Sequence, residues 1–95
     1  MAVLFTDQTT DAKSAGVAPG GPCTVHTSGV FDGCHVTIQV APTDLDANYE
    51  LPTGTNLQDF RIGGVVKCEA VAGYFVRVVL SNAGASTSVS AWTTP

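Results

Sequence analysis

Cys23, His26, Cys34 and His35 fall within one short stretch, residues 23–35, and are the residues best equipped for chemistry in this chain. The Cys-x-x-His spacing of Cys23 and His26 is one that can bracket a tetrahedral zinc ion. Strand geometry works against it. On a β-strand, residues 23 and 26 point to opposite faces, as do 34 and 35, so the four cannot converge on one ion unless turns carry them. The only turn signal here is Gly29 to Gly33. The favoured reading is three core cysteines, each behaving as a small hydrophobe, and two outward histidines. A Cys23–Cys34 disulfide is a further option but not the favoured one in a reducing cytoplasm: a turn at Ser28-Gly29 would set the two opposite each other, whereas one at Asp32-Gly33, the stronger hairpin dipeptide, would not.

A second candidate is the run Asp44-Leu45-Asp46-Ala47-Asn48-Tyr49-Glu50, which opens like a calcium loop. It has Tyr49 where such a loop needs glycine and Thr55 where it needs the bidentate glutamate, so loop acidity is the favoured account. No G-x-S-x-G elbow is present, and no Gly-rich segment follows a strand to open a helix; Gly20-Gly21 and Gly63-Gly64 read as simple breaks. An enzyme using Cys34 and His35 has no further motif to support it. The sequence assigns no catalytic, cofactor-binding or metal-ligating residue, and the expectation is a protein that is not an enzyme.

Composition narrows the partners. Ninety-five residues make one domain with one modest core. Charged residues are 13% of the chain, against about 25% in an average soluble domain, which suits a surface partly covered by other proteins. The net charge is −4, and Lys13, Arg61, Lys67 and Arg77 are scattered. With no basic cluster to neutralise phosphates, nucleic-acid binding is not expected. The N-terminal MAVLFTDQTT lacks the basic segment of a signal peptide and the length of a membrane span, so no membrane is expected either. An odd number of cysteines argues for assembly in a reducing cytoplasm.

Residues 2–5 read as a short edge strand or an apolar anchor. Residues 6–22 are small and polar and end in Gly-Gly-Pro, the texture of an extended arm. The chain therefore divides into an N-terminal arm (1–22), separable from the fold, and a β-domain (23–95). From Cys23 onward, β-branched runs alternate with turn residues, predicting strands at 23–28, 34–41, 47–51, 57–62, 65–70, 73–81 and 86–93. No window carries a sustained helical period. The fold class expected is all-β: an antiparallel sandwich, Ig-like or jelly-roll-like, with an extended N-terminal arm.

Period-two alternation assigns the faces. Inward sets are Cys23, Val25 and Thr27; Cys34, Val36, Ile38 and Val40; and Val66, Cys68 and Ala70. Strand 73–81 is apolar on both faces, with Tyr74, Val76, Val78 and Leu80 on one and Phe75, Arg77 and Val79 on the other. Trp92 shares the outer face with Ser88 and Ser90, opposite Val89 and Ala91. Aromatic residues left outside in this way mark either a subunit interface or a site that the tip at 2–5 folds back to cover. The candidate interface is Val3, Leu4, Phe5, Phe75, Val79 and Trp92.

The pattern G-x-F-x-G-x-x-V-T-I-Q-V over Gly29, Phe31, Gly33 and Val36 to Val40, an acidic loop, and then YFVRVVLSNAGASTSVSAW together resemble small β-sandwich virion proteins of tailed bacteriophages. The resemblance runs over residues 23–93. It implies a structural role in the virion, assembled in the host cytoplasm: a capsid decoration (cement) protein, often a homotrimer, bound to the major capsid protein or other virion proteins. A receptor- or glycan-binding knob of a head or tail fibre is the alternative. The cysteines at 34 and 68 depart from the small residues more usual there.

Overall fold

The structure is a computed structural model and describes residues 2–49, 59–60, 64–68 and 72–94. Its strands are β1 (Ala2–Gln8), β2 (Ala12–Lys13), β3 (Cys23–Val30), β4 (His35–Ala41), β5 (Asp59–Phe60), β6 (Gly64–Cys68), β7 (Phe75–Ser81) and β8 (Ser88–Thr94). They form two four-stranded antiparallel sheets, ordered β1-β8-β3-β6 and β2-β7-β4-β5. The fold is an all-β sandwich.

The sheets close on alternating apolar residues. Val25, Val89 and Ala91 of the first sheet and Val36, Ile38, Val76, Val78 and Leu80 of the second are buried, with Phe5, Phe31, Cys23, Cys34 and Cys68 filling the ends and edges. Thr27, Thr87 and Thr93 are also buried. Thr87 offsets the cost of burying a hydroxyl by donating to the Phe31 carbonyl (2.7 Å). Ile38 sits at the middle of β4 with no exposed surface.

β3 and β4 lie in different sheets, joined by a tight turn at Phe31–Cys34. The Cys34 N–H donates to the Phe31 carbonyl (2.9 Å), and both central residues, Asp32 (φ 47) and Gly33 (φ 81), are left-handed. Asp-Gly is the dipeptide that tolerates this best. The Asp32 carboxylate then accepts the Ser86 N–H (2.9 Å), and the Asn82 side-chain amide donates to the Gly33 carbonyl (3.2 Å). One end of the sandwich is thus knitted by loop polar groups.

Two expectations are corrected here. Residues 2–17 do not extend from the sandwich. β1 pairs with β8, and β2 pairs with β7 through Ala12↔Leu80 and Lys13↔Val79. Val17 exchanges both main-chain hydrogen bonds with Val76 (2.9 and 2.7 Å). Phe5 is in the core, and Ser14, also buried, holds the edge of β7. The strand expected at 47–51 is, over its described residues, a short 3₁₀ turn at Asp46–Asn48. The reason is long-range: Asp46 is turned towards Lys13 and Arg77, which no local pattern encodes. Of the strand expected at 57–62 only Asp59–Phe60 is described, and residues 69–70 of that at 65–70, like Thr55 and Arg61, lie outside the described residues.

Candidate functional site

The outer face of the first sheet carries a row that crosses all four strands. Val3 of β1 pairs with Trp92 of β8, Trp92 with His26 of β3, and His26 with Val65 of β6. Four neighbouring strands span about 14 Å at the usual strand spacing. Val3 and Val65 are 58% and 67% exposed. Trp92 and His26 are half-buried because they cover each other: their rings are parallel within 3° with centroids 5.3 Å apart. The His26 Nε2 lies 2.8 Å from the Thr94 hydroxyl, which fixes the imidazole against the indole. The result is a flat aromatic centre with an exposed valine at either end.

Local chain geometry makes the row. Trp92 and His26 face outward because their neighbours Ala91, Thr93, Val25 and Thr27 are buried. In β1 the ladder slips between Val3 and Phe5, and again between Phe5 and Gln8. Such a bulge reverses which face successive residues reach. Val3 therefore joins the outer row while Phe5 enters the core beside Ala91. Asp7, with φ 47, lies in the second irregular stretch, and its N–H donates to the Ser90 hydroxyl (3.0 Å).

The expected interface residues thus separate. Val3 and Trp92 meet on this face, and Phe5 is interior. Leu4 is partly buried and packs against the core. Phe75 and Val79 are half-buried on the outer face of the other sheet, in register with Ala41 and with Thr37 and Lys13. Two members of the row, His26 and Val65, are absent from the interface expected from sequence. The signal for Val65 is that it shares the parity of the charged Lys67 and Glu69 in the sequence; the one for His26 is its parity with Thr24 and Ser28.

The second sheet's outer face is occupied differently. Arg77, almost wholly buried, donates from Nε to the Gln39 side-chain carbonyl (2.9 Å) and pairs through Nη1 with Asp46 (2.8 Å). Its guanidinium carbon lies 3.9 Å from the Tyr49 ring centroid, a cation–π geometry. Lys13 reaches the same Asp46 oxygen (3.0 Å), and the Tyr49 hydroxyl donates to Asp44 (2.6 Å). Residues 44–49 are thereby a strap folded over β7, with Asp44 and Asp46 turned towards Tyr49, Lys13 and Arg77. Hydrogen bonds from Lys13, then Arg77, hold the Asp46 carboxyl below its usual range.

Burial, then the hydrogen bond and charge of Asp44, push the Tyr49 phenol up to about 12, with Arg77 acting the other way. A raised folded value means the strap's contribution to stability is complete below the unfolded value, about 10, and is lost as pH rises through about 12. An ultraviolet phenolate titration should therefore show one late step, absent from Tyr49→Phe. A parent titration in which the step lost in Tyr49→Phe lies near the ordinary phenol value of about 10 would contradict the strap.

The four residues of the first candidate cluster are also separated. Cys23 and Cys34 are buried, while His26 faces out against Trp92. Cys34 leans on the His35 carbonyl (3.6 Å), and burial raises its thiol, with the Asp11 charge adding to the effect. Because β3 and β4 belong to different sheets, Cys23 does not face Cys34 across a hairpin; its cross-strand partner is Cys68. Among the described residues no group of three or more His, Cys, Asp or Glu is placed to hold a metal ion, and no helix is long and apolar enough to cross a membrane. Set against known protein families, curated proteins and solved structures, the chain matches none of them, so the meaning of the Val3–Trp92–His26–Val65 row rests on its own geometry and chemistry.

Proposed function

We propose that this protein is a structural virion protein of a tailed phage, a capsid decoration protein that docks on the head shell through the outer face of its first sheet. The observation that carries the reading is the transverse row Val3–Trp92–His26–Val65, an aromatic centre flanked by exposed valines on an otherwise hydroxyl-rich face. Protein interfaces concentrate their energy in such aromatic centres, ringed by residues that exclude water. The partner class comes from the resemblance of residues 29–40 and 74–92 to phage β-sandwich virion proteins. Low overall charge fits a surface that is covered after assembly. A homotrimer would multiply weak contacts with a shell of many identical subunits, the major capsid protein.

The test is co-sedimentation of the chain with expanded capsid shells of the phage that encodes it, with the oligomeric state measured alongside. Val65→Asp and Trp92→Ala should each lower shell occupancy at least tenfold at fixed concentration while leaving the circular dichroism of the fold unchanged. A burial loss of about 2 kcal/mol per site supports that magnitude. Unchanged shell binding by both variants, or no binding by the parent chain, overturns the reading. The alternative, a receptor- or glycan-binding knob, is favoured by the half-exposed indole of Trp92 beside Thr24 and Thr94, since sugars stack on such rings. A glycan array that Trp92→Ala silences would select it.

A further inference from the structure

We propose that Cys23 and Cys68 are an oxidisable pair whose disulfide staples the edge strand β6 to β3. The two residues are direct cross-strand partners in the antiparallel β3–β6 ladder. Antiparallel partners have Cα atoms about 4.5–5.5 Å apart, inside the span of about 4.4–6.8 Å that disulfides bridge. Both side chains point into the core, with 2% and 0% of their surface exposed, and a side-chain hydrogen bond links Cys23 to Cys68. Both are thiols in this structure. The third cysteine is set apart. Cys34 follows the far end of β3, about 23 Å along the strand from Cys23 at the usual rise per residue, and leads into the other sheet.

The surroundings set when the bond forms. Contact with Cys68 and burial push the Cys23 thiol up, so Cys23 is a poor nucleophile in the closed fold, where both sulfurs are also shielded from an oxidant. Among the described residues, however, β6 pairs with β3 alone and is the outer strand of its sheet. Parting of β6 from β3 exposes both thiols together. A low-molecular-weight disulfide such as oxidised glutathione then supplies the oxidant. One cysteine, as thiolate, attacks a glutathione sulfur, forming a mixed disulfide and releasing one reduced glutathione. The second cysteine attacks the protein-side sulfur of that bond, releasing the other. The protein loses two electrons and two protons, and one oxidised glutathione becomes two reduced molecules.

The consequence lies on the outer face. His26 and Val65 are themselves cross-strand partners, three residues along each strand from the cysteines. A bond at Cys23–Cys68 therefore clamps the ladder on which that end of the row stands. The pairing holds whatever docks there.

The experiment uses the full chain, incubated with oxidised glutathione and, in parallel, with a reductant. Thiols are counted after denaturation by alkylation and intact mass. Cleavage before aspartate separates the cysteines into peptides 11–31, 32–43 and 59–95. The expected result is a fall from three alkylatable thiols to one, a linked 11–31/59–95 pair, and Cys34 as the thiol that remains. Cys34→Ala should still lose both its thiols, and Cys68→Ala should form no internal bond. Three thiols persisting through prolonged oxidation, or a bond that includes peptide 32–43, overturns the proposal.

Discussion

Deleting residues 1–21 should abolish the fold. The truncated chain should lose its β-sheet circular dichroism and its cooperative thermal transition. The segment looks dispensable by composition, yet it supplies edge strands to both sheets: β1 beside β8, and β2 with the Val17 bridge beside β7. Truncation removes Phe5 from the core, a loss of about 3–5 kcal/mol by comparison with other buried phenylalanines. It also strands the Val78 N–H, which donates to the buried Ser14 hydroxyl (2.9 Å), and the Val78 carbonyl, which accepts the Ser14 N–H (2.9 Å). Each unmatched buried polar group costs about 1–3 kcal/mol. The Ala83 N–H loses the Asp11 carboxylate as well. The sum approaches the whole stability of a small domain, about 5–15 kcal/mol. Adding a peptide of residues 1–21 in trans should restore the dichroism, because the vacated edges are templates for that strand alone. A truncated chain that melts cooperatively would show the segment to be an accessory.

Why the segment reads as a linker is a physical matter. Core strands such as β4 are legible because Val36 and Ile38 must be buried while His35, Thr37 and Gln39 need not be. β2 and the Val17 bridge are held mainly by main-chain hydrogen bonds, which any residue type except proline can make. Their side chains therefore carry little alternation. The irregular register of β1 erases what alternation it has, placing Val3 outside and Phe5 inside although both have the same parity. The acidic strap hides for a related reason. Asp44, Asp46 and Tyr49 are positioned by Arg77 and Lys13, residues about thirty positions away on either side.

The candidate face is half legible in the sequence. Parity alone places Trp92 and His26 outside and the cysteines inside. Parity cannot say which outward residues stand side by side, because that depends on cross-strand register, set by turns and bulges far from the residues themselves. Val3, Trp92, His26 and Val65 come from four segments spread over most of the chain. Phe75 and Val79, equally apolar and outward by pattern, belong to the opposite sheet. The same register that assembles the row brings Cys23 to Cys68, where sequence proximity suggests only Cys23 and Cys34 as neighbours.

Gly29→Ala should cost about 2–4 kcal/mol, lowering the melting temperature by about 10–20 °C at the sensitivity of a domain this size. Gly29 looks like the first residue of a loop, but β3 continues through it to Val30, in register with Val89 and Ser88 of β8. It does so with φ +120, a backbone state that residues with a side chain rarely adopt, and a Cβ there would collide with the Ser88 carbonyl oxygen. Two costs therefore add: the torsion and the backbone collision, which neither strand relieves without breaking the ladder. Gly33→Ala separates them. Gly33 is also left-handed, φ +81, but a Cβ there meets only the Asn82 side-chain nitrogen at 4.0 Å. Its substitution should carry the torsional term alone, about 1–2 kcal/mol. On the docking proposed above, Gly29→Ala should also cut shell binding in proportion to the unfolded fraction and no further, since Trp92 and His26 retain their places in molecules that still fold. Equal melting temperatures for the two variants would mean that β3 and β8 part at Gly29 without penalty, and that the ladder ends at Ser28.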